Sequence, residues 1–442
     1  MKKIISLLLV MVLVLGLCAC GEKKPAAKTP AETGKAPEGK LLVGFGRSDI
    51  SISPSDGIDL VGYGGNGTPP TKMTGIMDRV YGTCIAITDS DGNTALIYTV
   101  DTLGTSKAEV DLIREGITAK TGIPGSNIVI SGIHTHASYS TSQYAPYTGL
   151  MVQAAVDALA DRAVSTVQSG STIIENLNFV RYYTTQSGIV VGDNFEAAAS
   201  ASPRVKHTTD PDRHMPMIRF VREGDKKDVL MVNWQAHPKL GSTSETSEGF
   251  AQRSLLSADF IGFTRMNFEQ ETGMLFAYYT GAAGNLNPLT RMSSEMSMAP
   301  RRVSDYGAEL SKQIIAGMEN LAETEAGKVV TAQQMFPVVP TEPTRATEME
   351  LTAIRVGSIG FTTVPFEMFD MNGKFIKDNS PCETTFVLTC ASWPRHEYIP
   401  ASEVWDYDTG NQVAYELSSC KHERGTAENV SNELVKMLTD LG

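Results

Sequence analysis

The amino-acid sequence predicts an α/β fold in which a large mixed β-sheet is flanked by helices. Runs rich in β-branched and aromatic residues alternate along the chain with segments of helical spacing, which is typical of this class. Four apolar runs stop abruptly at polar residues, as buried strands do where they reach the edge of a sheet. The 442 residues are 41% hydrophobic, which is enough for one large domain or two smaller ones.

The N-terminal residues are expected to lie outside this fold. Residues 1–20 combine two lysines, an apolar run of about fifteen residues and the tetrad LCAC, a pattern typical of a lipoprotein signal peptide. It predicts an exported protein anchored to the cell membrane, on the extracytoplasmic side, by a lipid on Cys20. A plain signal peptide with incidental cysteines is the alternative. Residues 21–40 are rich in Pro, Ala and Lys and predict a disordered tether, so the folded domain should span 41–442.

The elements of the domain follow in order. LLVGFGRSDISI predicts a first strand, and TCIAITDSDGNTALIYTV predicts a hairpin, because Asp-Gly accepts the positive φ of a tight turn. KAEVDLIREGITAKTG has helical spacing with Gly122 as its stop. Three further helices are predicted: LMVQAAVDALADRAVSTVQ after Gly149, SDYGAELSKQIIAGMENLA with Ser304 as its cap, and Ala427 to Leu441. The Pro-rich MFPVVPTEPTR is either an internal boundary or a loop within one domain.

The charge and the cysteines limit what the protein binds. A formal charge of −12 argues against nucleic acid, and against anionic lipid beyond the anchor. The mature cysteines contain no C-x-x-C pair, so a zinc site built from cysteines is not expected. Nothing in the sequence implies a protein partner.

Three of the strand ends carry residue types that bind metals. NIVISGIHTH supplies His134 and His136, DVLMVNWQAHP supplies His237, and IGFTTVPFE supplies Glu367. Side chains two residues apart on an extended segment point to one side, so the first two imidazoles could reach the same ion. Two imidazoles and a carboxylate with one open position form a known catalytic zinc set. A lone H-x-H pair is weak evidence, and it is the recurrence at several strand ends that predicts a metal site.

Several short motifs in this order resemble the neutral/alkaline ceramidase family, over its catalytic domain and from residue 41 to the C-terminus. The matching pieces are G-x-x-D-I at 46–50, G-Y-G at 62–64, G-I-H-T-H at 132–136 where the family has G-T-H-T-H, x-H-P at 236–238 and S-A-D at 257–259. The resemblance implies the fold of that catalytic domain and a zinc ion held by His134, His237, Glu367 and Tyr398. It also implies that His136 faces the oxygen on which negative charge develops, and that Arg181 lies near the substrate.

The sequence departs from the family pattern at several points. Asn287 stands where the family loop carries a serine, and an amide cannot serve as a nucleophile, although it can donate a hydrogen bond. ASYSTSQY replaces a glycine-rich segment after the histidines, and P-G-E has become Pro365-Phe366-Glu367. The β-sandwich domain that follows in ceramidases is not expected, because the chain stops at Gly442.

The function expected from these observations is zinc-dependent hydrolysis of an amide or ester bond in a small or lipid-like N-acyl compound. Zinc-bound hydroxide would attack the carbonyl, and His136, Asn287 or Arg181 would stabilise the oxyanion. Tyr398 or His136 would protonate the leaving group. The alternatives are a solute-binding lipoprotein, and a deacylase or esterase that acts on cell-wall or glycan material.

Overall fold

The computed structural model describes most of the chain after the N-terminal segment. The described residues are 34–62, 70–192, 204–241, 254–289, 302–394, 397–409 and 415–442. The expected signal peptide, Cys20 and most of the expected tether lie outside these residues, as does most of the G-Y-G motif. Within the described residues, no helix has both the length and the apolar character needed to cross a membrane.

The described elements are mostly strands. The strands of the first half are β1 Leu41–Asp49, β2 Gly75–Ile76, β3 Tyr81–Thr88, β4 Thr94–Val100, β5 Ile128–Gly132, β6 Ala163–Ile173, β7 Asn178–Val180, β8 Tyr182–Thr185, β9 Val190–Gly192, β10 Arg204–His207, β11 His214–Arg222 and β12 Val229–Trp234. Those of the second half are β13 Leu255–Leu256, β14 Leu275–Thr280, β15 Leu286–Pro288, β16 Ala322–Thr324, β17 Val329–Pro337, β18 Glu348–Val356, β19 Ile359–Val364, β20 Glu367–Met368, β21 Thr384–Thr389 and β22 Tyr398–Ile399. The helices are α1 Lys107–Thr121, α2 Tyr147–Ala160, α3 Phe260–Thr272, α4 Val303–Gly317, α5 Asp370–Asn379, α6 Tyr415–Ser419 and α7 Thr426–Asp440.

Most predicted elements are confirmed, and two details are wrong. The hairpin β3–β4 forms as expected, and α1 ends at Gly122, whose φ is 74°. The helix predicted after Gly149 was too long, because residues 163–168 belong to β6, whose alternating side chains pair with β11. Ser304 is not a cap, since α4 begins at Val303 with Arg302 at the N-cap position.

Two sheets organise the fold, and the predicted α/β architecture with a large mixed sheet is confirmed. The larger sheet has the strand order β14-β12-β11-β6-β1-β3-β4-β5, with β16 beside β6. Its two outermost pairs, β12–β14 and β4–β5, are parallel, and the pairs between them are antiparallel. The second sheet has the order β17-β18-β19-β21, and its β19–β21 pair is parallel.

The two sheets pack face to face with helices outside them. Alternate side chains of the larger sheet, such as Ile97 and Phe220, meet Ile354 and Phe386 of the second sheet in one buried cluster. The other face of the larger sheet packs against α1 to α4, and the other face of the second sheet packs against α5 and α7. The layers therefore run helix, sheet, sheet, helix, which buries both faces of each sheet.

Strands β5 and β14 stand at opposite ends of the larger sheet's strand order, yet they meet in space. Thr280 Oγ1, at the end of β14, donates to the carbonyl of Ile133, just past β5, over 2.6 Å. Thr389 Oγ1, at the end of β21, donates to the carbonyl of Gly281 over 2.8 Å. The sheet therefore curls enough to bring the carboxyl ends of strands from both sheets to one place.

Candidate metal centre

Four chain segments that carry the predicted ligands meet where the carboxyl ends of strands from the two sheets come together. His134 lies two residues beyond β5, and His237 lies three residues beyond β12. Glu367 begins β20 and pairs in parallel with Tyr398 at the start of β22. All four side chains are buried. The structure therefore brings together the whole ligand set that the resemblance implied.

The backbone at His134 is strained, which corrects the expectation of an extended H-x-H segment. His134 has a φ of 68°, in the left-handed region, at a typical cost of about 1–3 kcal/mol for a residue other than glycine. The centroids of the His134 and His136 rings are still only 5.1 Å apart. The two imidazoles thus meet because the chain turns sharply after β5, and not because an extended strand presents both on one side.

The second nitrogen of His134 fixes which ring atom faces the centre. His134 Nδ1 lies 3.0 Å from the carbonyl of Leu103 and 3.5 Å from the thiol of Cys390. A carbonyl can only accept, so Nδ1 carries a proton, and in the neutral ring Nε2 is the nitrogen with the lone pair. An imidazole held in this tautomer is prepared to bind a metal ion through Nε2.

The ligand atoms converge on one carboxylate oxygen. Glu367 Oε2 lies 3.2 Å from His134 Nε2 and 3.8 Å from His237 Nδ1. Both Glu367 Oε2 and His134 Nε2 are buried without a hydrogen-bond partner. The three side chains bound a pocket of about 10 Å³, room for about one water-sized body. Buried polar atoms normally have partners, so two that lack them beside such a pocket fit a metal cation.

His136 adds a third imidazole to the centre. Its Nε2 lies 2.8 Å from His237 Nε2, on the side of that ring away from Glu367. His134, His136 and His237 each place one ring nitrogen within 4.8 Å of the other two. The arrangement therefore supports two ligand sets, one completed by Glu367 and one by His136, which is less buried than the other two histidines.

The electrostatics of the centre favour a positive charge between His134 and Glu367. Burial alone would raise the pKa of Glu367, but the charge of His134 and the contacts with His134 and Tyr398 lower this pKa to about 2. Burial also opposes a charge on His134, but the Glu367 carboxylate raises the pKa of His134 well above its usual range. Burial and the charge of His134 lower the pKa of His136 to about 3, which keeps that ring neutral.

Arg181 also reaches the centre, from the segment between β7 and β8. Its guanidinium carbon lies 5.2 Å from the centroid of the Tyr398 ring. It forms a buried ion pair with Glu416 and donates to the carbonyl of Gly284. The structure thus places Arg181 beside Tyr398.

The loop that carries Asn287 contacts the centre through its backbone. The carbonyl of Leu286 accepts the amide of His237 over 3.1 Å, and Gly284 lines the small pocket. Asn287 lies next to Leu286 on β15, is fully buried, and pairs with Phe179 across to β7. The loop is therefore part of the centre through its backbone.

Sequence reasoning missed two buried residues of the centre. Cys390 directly follows β21, and its free thiol contacts His134. An apolar strand followed by a reactive side chain is the pattern that could have identified Cys390. Glu416 lies on the short helix α6, with no motif around it. Its partner, Arg181, lies more than two hundred residues away in the chain, and no local sequence pattern indicates such a pair.

Comparison with known sequences gives two further findings. Residues 41–286 match the sequence model described as "Neutral/alkaline non-lysosomal ceramidase, N-terminal". The neutral ceramidase of Oryza sativa subsp. japonica is 26% identical over 279 residues, which is 60% of this chain and 33% of that protein. This chain thus corresponds to about a third of the length of that relative. The region matched by the family model includes the three histidines and Arg181 but ends before Asn287, Glu367 and Tyr398.

Two solved structures share the fold. Neutral ceramidase from Pseudomonas aeruginosa superposes with a TM-score of 0.71 at 16% identity, over 92% of this chain and 75% of that chain. A structure described as a ceramidase complexed with C2 gives a TM-score of 0.65 at 15% identity, over 91% of this chain and 75% of that chain. The similarity of fold therefore extends well past residues 41–286, the region matched by the family model.

Proposed function

Because this chain belongs to the neutral/alkaline non-lysosomal ceramidase family, we propose that it is a metal-dependent hydrolase that cleaves the amide or ester bond of a lipid-like N-acyl compound. The observation that carries the proposal is the convergence of His134 Nε2, His237 Nδ1 and Glu367 Oε2 beside one small buried pocket. Ordinary core histidines make well-oriented hydrogen bonds, whereas His134 Nε2 and Glu367 Oε2 face each other over 3.2 Å and neither makes such a bond.

The ion we propose is zinc, held by His134, His237, Glu367 and Tyr398. Imidazole and carboxylate ligands suit zinc, and a set of this kind leaves room for a water or a substrate oxygen. Zinc bound in this way supplies a Lewis acid that polarises carbonyl groups and lowers the pKa of water to about 7. The remaining chemistry belongs to the side chains around the ion.

His136 and Asn287 are proposed to stabilise the oxyanion that develops on the scissile carbonyl. His136 is the least buried of the three imidazoles, and its lowered pKa keeps the ring neutral and able to turn an N–H towards an oxyanion. Asn287 can donate through its amide but has no hydroxyl to ionise. It therefore orients a carbonyl or water and does not replace the serine of related ceramidases in proton transfer.

Tyr398 is proposed as the proton donor to the leaving group when it does not serve as a ligand. Burial and the Glu367 carboxylate raise the pKa of its phenol well above the ordinary value, so the phenol keeps its proton. Tyr398→Phe separates the two roles. Loss of metal would identify a ligand, whereas loss of turnover with the metal retained would identify a proton donor.

Elemental analysis of purified variants tests the metal centre. His134→Ala, His237→Ala and Glu367→Ala should each lose most of the bound zinc, and His136→Ala should keep its zinc and lose turnover. His214→Ala is the matched control, since that imidazole is 55% exposed and lies outside the centre. Normal zinc in folded Glu367→Ala together with loss of zinc in His136→Ala would replace the proposed ligand set by the three imidazoles.

The substrate class is tested by activity of the zinc-replete protein. Long-chain ceramide, short N-acyl amines and O-acyl sugars would be compared under the same conditions. Preference for N-acyl compounds is expected from the family. Preference for O-acyl sugars would instead assign the same centre to cell-wall or glycan deacylation.

A further inference from the structure

A buried carboxylate lies behind the metal centre and outside the region matched by sequence to the family. Glu416, on α6, is 4% exposed at its side chain and pairs through Oε1 with Arg181. Its other oxygen, Oε2, accepts the hydroxyl of Tyr182. Both carboxylate oxygens are therefore engaged by the protein, so Glu416 is held in one orientation.

Arg181 connects this carboxylate to the centre. The guanidinium lies against the Tyr398 ring, and the two side chains also share a hydrogen bond. Tyr398 in turn contacts the Glu367 carboxylate. A continuous path of polar contacts thus runs from Glu416 through two side chains to a proposed metal ligand.

The charges along this path explain why Glu416 is needed. Arg181 is almost fully buried and carries a permanent positive charge close to a pocket suited to a metal cation. Like charges in a poorly solvated interior repel strongly, because water does not screen them there. The carboxylate of Glu416 cancels this repulsion, while its ion pair keeps the guanidinium against Tyr398.

We propose that Glu416 is a positioning residue of the metal centre, acting through Arg181 on Tyr398. The proposal rests on the proposed function, since it presumes that a metal ion binds beside Glu367. Arg181 holds the phenol of Tyr398 in place. Glu416 fixes the position of the Arg181 guanidinium and balances its charge.

The test is the affinity of the full folded chain for zinc, measured by competition with a chelator. Glu416→Gln keeps the shape of the side chain but removes its charge, and we expect about 10- to 100-fold weaker zinc binding, the range typical of residues that orient metal ligands. Glu269→Gln is the matched control. Glu269 pairs with Arg47 through both oxygens and accepts the amide of Phe276, at the opposite end of β14 from the centre. Its removal should leave the affinity unchanged.

A double-mutant cycle separates positioning from general destabilisation. If Glu416 acts through Tyr398, Glu416→Gln should cost much less affinity in a Tyr398→Phe background than in the wild type. Equal losses in both backgrounds would overturn the proposal, as would wild-type affinity in Glu416→Gln.

If Glu416→Gln does not fold, Tyr182→Phe takes its place in the cycle. It removes one contact to Glu416, so a loss of about threefold is expected, and unchanged affinity would overturn the proposal. A wild-type protein that binds no divalent metal would overturn the proposed function itself, and this inference with it.

Discussion

Replacing Asp78 by asparagine should change how the stability of this protein depends on pH. Asp78 precedes β3, and its carboxylate accepts the hydroxyl of Ser257 and, over 3.1 Å, the amide of Ala258. Desolvation by burial raises the pKa of this carboxyl to about 7, and the charge of Asp101 adds to the effect. Arg265 opposes it, but that guanidinium is paired with Asp101 over 2.8 Å.

The magnitude follows from the difference between the folded and unfolded pKa. An aspartate with a pKa of 3.8 when unfolded and about 7 when folded loses about 4 kcal/mol of stability as the pH rises through that interval. The sign follows because the folded state keeps its proton where the unfolded state has lost it. Stability from this group is fully present below pH 3.8 and is lost by about pH 7. Asparagine does not titrate, so Asp78→Asn removes this slope.

Urea denaturation followed by tryptophan fluorescence, at several values between pH 5 and 8, measures the effect. Between pH 5 and 7, the free energy of unfolding of Asp78→Asn should rise relative to wild type by about 2 kcal/mol. Asp161→Asn is the control. The salt bridges of Asp161 with Lys226 and Arg222 lower its pKa against the effect of burial, so its titration falls below this window. A stability difference for Asp78→Asn that stays constant across the range would refute the reasoning.

Three further predictions concern the site, the stability and the location of the protein. Asn287→Ala should lower kcat on the preferred N-acyl substrate by about 10²- to 10³-fold without loss of zinc, since a donor to the oxyanion is removed. Efficient turnover of long-chain ceramide that is unchanged in this variant would contradict that role. Glu350→Ala should destabilise the fold by about 3–5 kcal/mol in urea denaturation, because it strands the buried guanidinium of Arg114, which Glu350 now binds at 2.8 and 2.9 Å; a change under about 1 kcal/mol would argue against it. Mass spectrometry of the membrane fraction should find Cys20 as a lipid-bearing N-terminus, and cleavage elsewhere would exclude the anchor.

Much of the fold could be predicted because its signals are local. The hairpin β3–β4 follows from a turn sequence that accepts positive φ, and the end of α1 follows from Gly122. The residue types of the proposed ligands were also visible, because the apolar runs that lead to His134, His237 and Glu367 are short patterns of neighbouring residues. Local signals failed at residues 163–168, where pairing with β11 overrode the helical spacing.

The class of fold, the family and the residue types of the proposed ligands follow from the sequence alone. Their arrangement depends on the folded chain: on the meeting of β5 with β14, the left-handed turn at His134 and the ion pair of Glu416 with Arg181. Periodicity and turn chemistry act between near neighbours in the chain. The position of a metal ligand depends on hydrogen bonds and buried charges between residues far apart in sequence, and these form only when the sheets pack.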